Sequence, residues 1–271
     1  MRVISGPVQP GTALTADRSL TFAENMVPVS GSAVRQLILT LFGLTWAEVT
    51  RITVKAGSVP FVDCTPAYLR AFFNFIAKGA QWAAADIAGS LYFPGNTLLG
   101  EKPADNILSM GGPPGQLMRI EIQKSAVPAA GNSAQLHQLI EDRALAQAWS
   151  YFVASSANIP TPAITFNVPI TTPGLLAGLV IPDVNQVTLL RIFGPDGLMH
   201  EFTSAAAIIE HQKQYRAAGA IPLGDPLYIS LAPTPVIPGR TRIEVSTSAL
   251  FAGPTAELGI HTIVPLQQPA A

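Results

Sequence analysis

The sequence predicts an all-β protein with a few short helices, built as two tandem β-sandwich domains. Three observations carry that expectation. Short runs rich in Val, Ile, Leu, Phe and Thr recur along the 271 residues, and 24 prolines and 22 glycines punctuate them. Regular short strands between turn signals mean a sandwich or jelly roll. The second half repeats the order of segments in the first, and the length allows two domains of roughly 130 residues each.

The expected strands run in order. LTF (20–22), VPV (27–29), RQLILTLF (35–42), RITVKA (51–56) and LMRIEIQ (117–123) fall in the first half. AITFNVPI (163–170), VTLLRIF (187–193), PLYISLA (226–232), TRIEVST (241–247) and LGIHTIV (258–264) fall in the second. Pro28 and Pro169 lack a backbone donor, so their segments belong at edges or bends. Two helices interrupt the strands, over 65–79 and 203–219. In the first, Thr65 is placed to cap the N-terminus, Pro66 suits the first turn and Gly79 the stop. In the second, Thr203 or Ser204 is the cap and Gly219 the stop. Leu69, Phe72, Phe73 and Ile76 recur at helical spacing and should face a core.

Both helices belong to a longer repeat. Residues 49–80 match 187–220 as strand, glycine turn, short strand, capped helix and Gly-Ala. In the same order, 20–29 answers 164–170, 89–93 answers 224–229, 115–125 answers 239–248, and 131–136 answers 253–258. The drifting offset implies insertions in the first half, the 94–114 loop above all. The reading is a first jelly roll with an N-terminal arm over 1–145 and a second over 146–271. ALAQAWSYFVASSANIPTP serves as the linker and entry to the second.

Composition excludes several classes. Charged residues are 12% of the chain, against about 25% in an ordinary soluble domain. The chain is too apolar for disorder, and a net charge of −1 does not make a nucleic-acid surface. Residues 1–150 hold 11 Lys and Arg against 10 Asp and Glu, and residues 151–271 hold 5 against 7, so neither half is basic enough. So little charge suggests an outer surface largely covered by other copies or partners. Cys64 is the single cysteine, so an internal disulfide and a cysteine zinc site are out. The N-terminus lacks the apolar run of a signal peptide, and the longest apolar stretch, Leu37 to Leu44, is too short to span a bilayer. The expectation is a protein made and folded in a cytoplasm and not integral to a membrane.

A search for chemistry assigns no catalytic, cofactor or metal residue. Walker, GxGxxG, HExxH and GxSxG patterns do not occur, and GGPPG at 111–115 reads as a loop. His137, His200, His211 and His261 are scattered, without the His-x-His cluster of a metal-binding jelly roll. His200 beside Glu201 reads as a solvated turn, as does Glu141-Asp142. Glu121 and Glu244 occupy equivalent strands of the two halves, which argues against one shared acid/base pair. Cys64 reads as a buried structural thiol.

The stretch LTLFGLTWAEVTRITVKAGSVPFVDCTPAYLRAFFNFI (39–76) has a strand, a Gly-x-Thr turn, an acidic segment, a hairpin and a helix. With RIEI at 119–122, RIEV at 242–245 and the Trp149 segment, it resembles the major capsid proteins of tailless icosahedral bacteriophages with an internal membrane. The nearest likeness is to the corticovirus-type coat protein, and this chain is richer in Ala and Pro and poorer in Lys and Asp. The resemblance implies two jelly rolls side by side in each chain, and a homotrimer as a pseudo-hexagonal capsomer. It implies neighbouring capsomers, penton and minor capsid proteins as partners, in a virion. It permits structural calcium, to which no residue here points, and an internal lipid membrane that Arg2 and Arg18 would touch. Apolar area should then lie on the lateral faces and be sparse on outward loops. Two alternatives share the scaffold. One is a glycan-binding or glycan-cleaving protein, which would gather acidic and aromatic residues at a cleft; Trp46, Trp82 and Trp149 all fall in the first half or the linker. The other is a minor spike or vertex protein of the same virus type.

Overall fold

The computed structural model describes residues 3–7, 12–13, 19–23, 33–56, 59–76, 88–92, 118–124, 133–141, 150–159, 164–215, 226–251 and 257–265. The chain divides into two compact units, Met1–Ala154 with Pro265–Ala271, and Ser155–Val264.

In the first unit the strands are β1 (Val3–Pro7), β2 (Thr12–Ala13), β3 (Ser19–Ala23), β4 (Ala33–Phe42), β5 (Val49–Ala56) and β6 (Val59–Cys64). Helix α1 (Pro66–Ile76) follows, then β7 (Ala88–Tyr92), β8 (Met118–Lys124) and β9 (Ser133–Glu141). One run of neighbouring strands is β1-β9-β4-β7, with β2 also on β9; the other is β6-β5-β8-β3. Leu39, Leu41, Trp46, Ile52, Val54 and Ile122 are buried between them. A fully buried side chain of this size contributes about 1.5–3 kcal/mol.

β10 (Ser150–Asn158) leads into the second unit, with β11 (Thr165–Pro169), β12 (Gly174–Ile181), β13 (Val187–Gly194) and β14 (Gly197–Phe202). Helix α2 (Ala205–Tyr215) follows, then β15 (Leu227–Val236), β16 (Arg242–Thr247) and β17 (Glu257–Pro265). The strand runs are β10-β17-β12-β15 and β14-β13-β16-β11. Substituting β10 for β1, β17 for β9, β12 for β4 and β15 for β7 converts the first run of one unit into that of the other. The second runs correspond in the same way, β14 to β6, β13 to β5, β16 to β8 and β11 to β3. Each sandwich therefore has the eight-strand order of a jelly roll, with its helix in the same connection.

Local chemistry explains the elements. β11 and β16 alternate strictly between exposed and buried positions, so Phe166, Val168, Ile243 and Val245 form one apolar face. β12 (GLLAGLVI) is buried along nearly its whole length, because it lies between β15 and β17 and its sheet is covered. Phe166 and Phe251 close this core edge to face, 6.2 Å between centroids. The β13–β14 hairpin pairs Gly194 with Gly197, whose φ of 125° an L side chain would resist. A single 3-10 turn precedes each central strand, Trp46–Glu48 before β5 and Val184–Gln186 before β13. Thr45 N–H donates to Glu48 Oε2 at 2.7 Å in the first, and Asn185 N–H donates to Asp183 Oδ1 at 3.0 Å in the second. Trp46 and Val184 are the buried residues of the two turns.

Several expectations change. Ser150–Asn158, written as linker, is a strand, as are Val3–Pro7 in the expected arm and Gly174–Ile181. Of the two expected α2 caps it is Ser204 that serves, as expected: its Oγ accepts from Ala207 N–H at 3.2 Å. The expected cap Thr65 does not act through its side chain. Its carbonyl accepts from Tyr68 and Leu69, while Oγ1 is buried with no hydrogen-bond partner. The VPV segment, the 94–114 loop, Gly79 and Gly219 lie outside the described residues.

Candidate assembly surface

The β14-β13-β16-β11 sheet of the second unit has one apolar face in the core and one polar face outward. At the centre of the outer face Arg191 on β13 is paired in register with Glu201 on β14 and Glu244 on β16. Arg191 Nε donates to Glu201 at 2.7 Å and Nη1 to Glu244 at 3.3 Å. The Glu201 hydrogen bond is the main reason that the Arg191 pKa is raised. Thr165 and Ser246 share a hydrogen bond at 3.1 Å on the same face, and the Arg242 guanidinium lies 4.0 Å from the Phe193 ring centroid.

The first unit carries a variant of this face. Thr53 stands where Arg191 stands, paired with Asp63 on β6 and Glu121 on β8. Asp63 is held by Arg51 Nε at 2.5 Å and by Thr53 Oγ1 at 3.3 Å. Gln123 Nε2 donates to Glu121 at 3.5 Å. Glu121 and Glu244 thus share one register position, and among the described residues each is bonded to a neighbour in its own sheet.

Large exposed apolar side chains sit at strand ends. Leu198, Met199 and Ile237 mark the end of the second unit that holds the β13–β14 hairpin, and Ile164 and Leu250 mark the opposite end. Phe42 ends β4 in the first unit. Among the described residues of known exposure, the large exposed apolar side chains lie on connections and strand tips.

Two polar groups are buried inside the second unit. Tyr228 on β15 and His261 on β17 share a hydrogen bond of 2.7 Å from the Tyr228 hydroxyl to His261 Nδ1. Burial pushes the His261 pKa down to about 3 and the Tyr228 pKa well up, so both are neutral near pH 7. Nearer the edge, His200 and His211 both reach β15. Thr234 gives its hydroxyl proton to the Ala232 carbonyl, so His200 Nε2 is the donor across 3.3 Å to Thr234 Oγ1. His211 Nε2 donates to the Ser230 carbonyl at 2.9 Å. Burial, and then the charge of His211, lower the His200 pKa. His200 is therefore packed against β15 and not in a solvated turn; its side chain lies on the opposite side of the strand from Glu201.

Cys64 is buried at the end of β6. His137 pairs with Ile38 in register, and Glu141 ends β9. Arg2, Arg18, Trp82, residues 111–115, Asp142 and Trp149 lie outside the described residues. Among the described residues no three His, Cys, Asp or Glu side chains gather as a metal site would need, and no helix is long and apolar enough to cross a membrane. The Tyr228–His261 pair escaped sequence reading, because its members are 33 residues apart and no motif joins them.

No family model matches the chain, and no curated protein matches it in sequence. Solved structures do match it over almost its whole length. The major capsid protein P2 from bacteriophage PM2 superposes with a TM-score of 0.73 at 12% identity, covering 98% of this chain and 99% of that one. The STIV major capsid protein gives 0.65 at 12% identity, covering 97% and 96%. PBCV-1 VP54, fitted into a reconstruction of the virophage Sputnik, gives 0.55 at 7% identity, covering 97% and 93%. With two eight-strand sandwiches of identical order, the chain has the double jelly-roll fold of these capsid proteins.

Proposed function

We propose that this chain is a major capsid protein, a structural protein without a catalytic site, three copies of which form a pseudo-hexagonal capsomer of an icosahedral shell. The single observation that carries this reading is the strand-for-strand duplication of the jelly roll. Two like sandwiches in each of three chains give six like units about one axis, which packs a plane and is a geometric reason for a coat protein to be duplicated. An enzyme has no such need. The whole-length likeness to capsid proteins supports the same reading.

The two halves, 1–145 and 146–271, each supply one jelly roll. β10 takes the place in the second sheet that β1 takes in the first, and the two compact units part within it, at Ala154 and Ser155. Partners are other copies, neighbouring capsomers, and penton and minor proteins of the particle, made in a host cytoplasm and assembled into a bacteriophage virion. Mass measurement coupled to sizing, with negative-stain images, tests the proposal. The expected particle has three times the 28.5 kDa chain mass. Its hexagonal outline should be roughly 70–80 Å across, from six sandwich-sized units. A monodisperse monomer at every concentration overturns it.

A further inference from the structure

Among the described strands β15 is the last in the order of its sheet, beside β12. Two histidines tie it to elements outside that sheet. His211 of α2 donates from Nε2 to the Ser230 carbonyl at 2.9 Å, and His200 of β14 donates from Nε2 to Thr234 Oγ1 at 3.3 Å. Helix α2 also packs on β13, β14 and the Val184–Gln186 turn, and Ile208 anchors it in the core.

The two histidines stand near one another. His200 and Phe202 share one side of β14, two residues or about 7 Å apart along the strand. The His211 ring meets Phe202 edge to face, 5.0 Å between centroids. The charged groups on the surrounding elements are engaged elsewhere. Glu201 lies on the other side of β14 and is bound to Arg191 of β13. Glu210 and Lys213 of α2 are exposed and bound to one another. Asp183, at the start of the 3-10 turn, accepts from Asn185 N–H and Gln186 Nε2. Tyr228 of β15 is bonded to His261 of β17. The described charge that acts on His200 is therefore that of His211, and it is of the same sign.

The next residue of the helix opposes docking. Gln212 is 1% exposed, and neither its Nε2 nor its Oε1 has a hydrogen-bond partner among the described residues. A buried amide left unsatisfied destabilises the state that buries it. Ile208, the Ser204 cap and the His211 bond hold α2 in place against that penalty. We infer that α2 is an acid-released latch on β15: when His200 takes up a proton, its charge and that of His211 meet at a half-buried site, and the helix leaves the strand. The sign follows from linkage. Burial, and then the charge of His211, hold the His200 pKa below its ordinary 6.5, so below pH 6.5 the released chain binds a proton that the docked chain does not. Docking is complete above pH 6.5 and weakens as pH falls. Release also brings water to the Gln212 amide. The inference goes beyond the shell reading and needs no second copy of the chain.

The test is hydrogen–deuterium exchange with mass spectrometry on the purified full chain at pH 7.5, 6.0 and 5.0, with each rate corrected for the intrinsic pH dependence of exchange. The readout is protection of α2 (Ala205–Tyr215) relative to β16 (Arg242–Thr247) in the same unit. Unfolding of the whole unit, to which His261 contributes in acid, lowers both, so the ratio isolates the latch. One proton taken up on release shifts the equilibrium by at most about tenfold for each pH unit. The relative protection of α2 should fall about tenfold from pH 7.5 to 5.0. The His200→Gln/His211→Gln variant, uncharged at both positions, should hold it constant. Gln212→Leu removes the unsatisfied amide and should raise α2 protection at every pH. The inference is overturned if α2 and β16 lose protection in step, if α2 stays protected at pH 5.0, or if the double variant falls as wild type does. Unchanged or weaker α2 protection in Gln212→Leu also counts against it. The wild-type ratio and Gln212→Leu decide the matter even if the double variant misfolds. None of these outcomes bears on the trimer, which sizing reads separately.

Discussion

Gly178 is a position where one added methyl group should be costly. It lies on β12 between Ser230 of β15 and His261 of β17. A Cβ built there would come within 2.4 Å of Tyr228 Cζ and 2.7 Å of its Cε2. Ordinary carbon contacts begin near 3.4 Å, so the Tyr228 ring must move. The ring is 2% exposed, and its hydroxyl is bonded to a buried His261. Forcing extra volume into a packed core costs about 1–3 kcal/mol. Breaking a buried hydrogen bond, and leaving its partner unsatisfied, costs about 1–3 kcal/mol more. Alanine's smaller unfolded-state entropy offsets about 0.4–1 kcal/mol. Gly178→Ala should therefore lose about 1–5 kcal/mol, a fall of about 3–15 °C in Tm, measured by calorimetry and by denaturant melts. Tyr228→Phe supplies the second arm of a double-mutant cycle. With the hydrogen bond already gone, the two changes should cost less together than apart, by about 1 kcal/mol. A Gly178→Ala protein within about 0.5 kcal/mol of wild type, or two fully additive changes, would refute the reasoning.

The same pair makes stability depend on acid. His261 is buried with a pKa near 3, below its ordinary 6.5, so below pH 6.5 the unfolded chain binds a proton that the folded chain does not. Stability is full above pH 6.5 and falls toward pH 3, by about 2 kcal/mol between pH 6.5 and 5. Chemical denaturation across that range should show the slope, and Tyr228→Phe/His261→Leu should flatten it; an unchanged slope counts against this account. The two helix starts give a contrasting pair of substitutions. Ser204→Ala removes the hydroxyl that accepts from Ala207 N–H and should cost about 1 kcal/mol in a urea melt. Thr65→Ala should lose no capping energy, because the Thr65 hydroxyl has no partner to give up. Equal losses at the two sites would mean that both residues cap alike.

The duplication was legible because it is written in hairpins and helices, where turn glycines and apolar spacing fix the local structure. Residues 49–80 and 187–220 fold into corresponding elements, as their matched order predicts. β1, β10 and β12 were not legible, each for its own reason. VISGP ends in Gly-Pro, and Ser-rich SYFVASSAN has little alternation, so pairing to β9 and β17 makes the strands where local sequence does not. GLLAGLVI is apolar throughout because both of its faces are covered, and such a run has no period to read. The polar outer face was half visible. Glu121 and Glu244 were recognisable as counterparts, but their neighbours come from β5, β6, β13 and β14, and only register brings them together.

The exchange of Arg191 for Thr53 bears on how a duplicated chain avoids confusing its own halves during folding. Two sandwiches of identical strand order offer β5 and β13 nearly interchangeable slots, since both carry apolar residues on one face. Were β5 to enter between β14 and β16, Thr53 would replace the guanidinium that bridges Glu201 and Glu244; Arg51 would arrive on the Glu201 side, as it does for Asp63, and Glu244 would lose its cation. Were β13 to enter the first sheet, the Arg51 that holds Asp63 would leave with β5. The solvent-facing charges thus act as an address: apolar faces say only that a strand belongs in a sandwich, and the charge on the other face says which one.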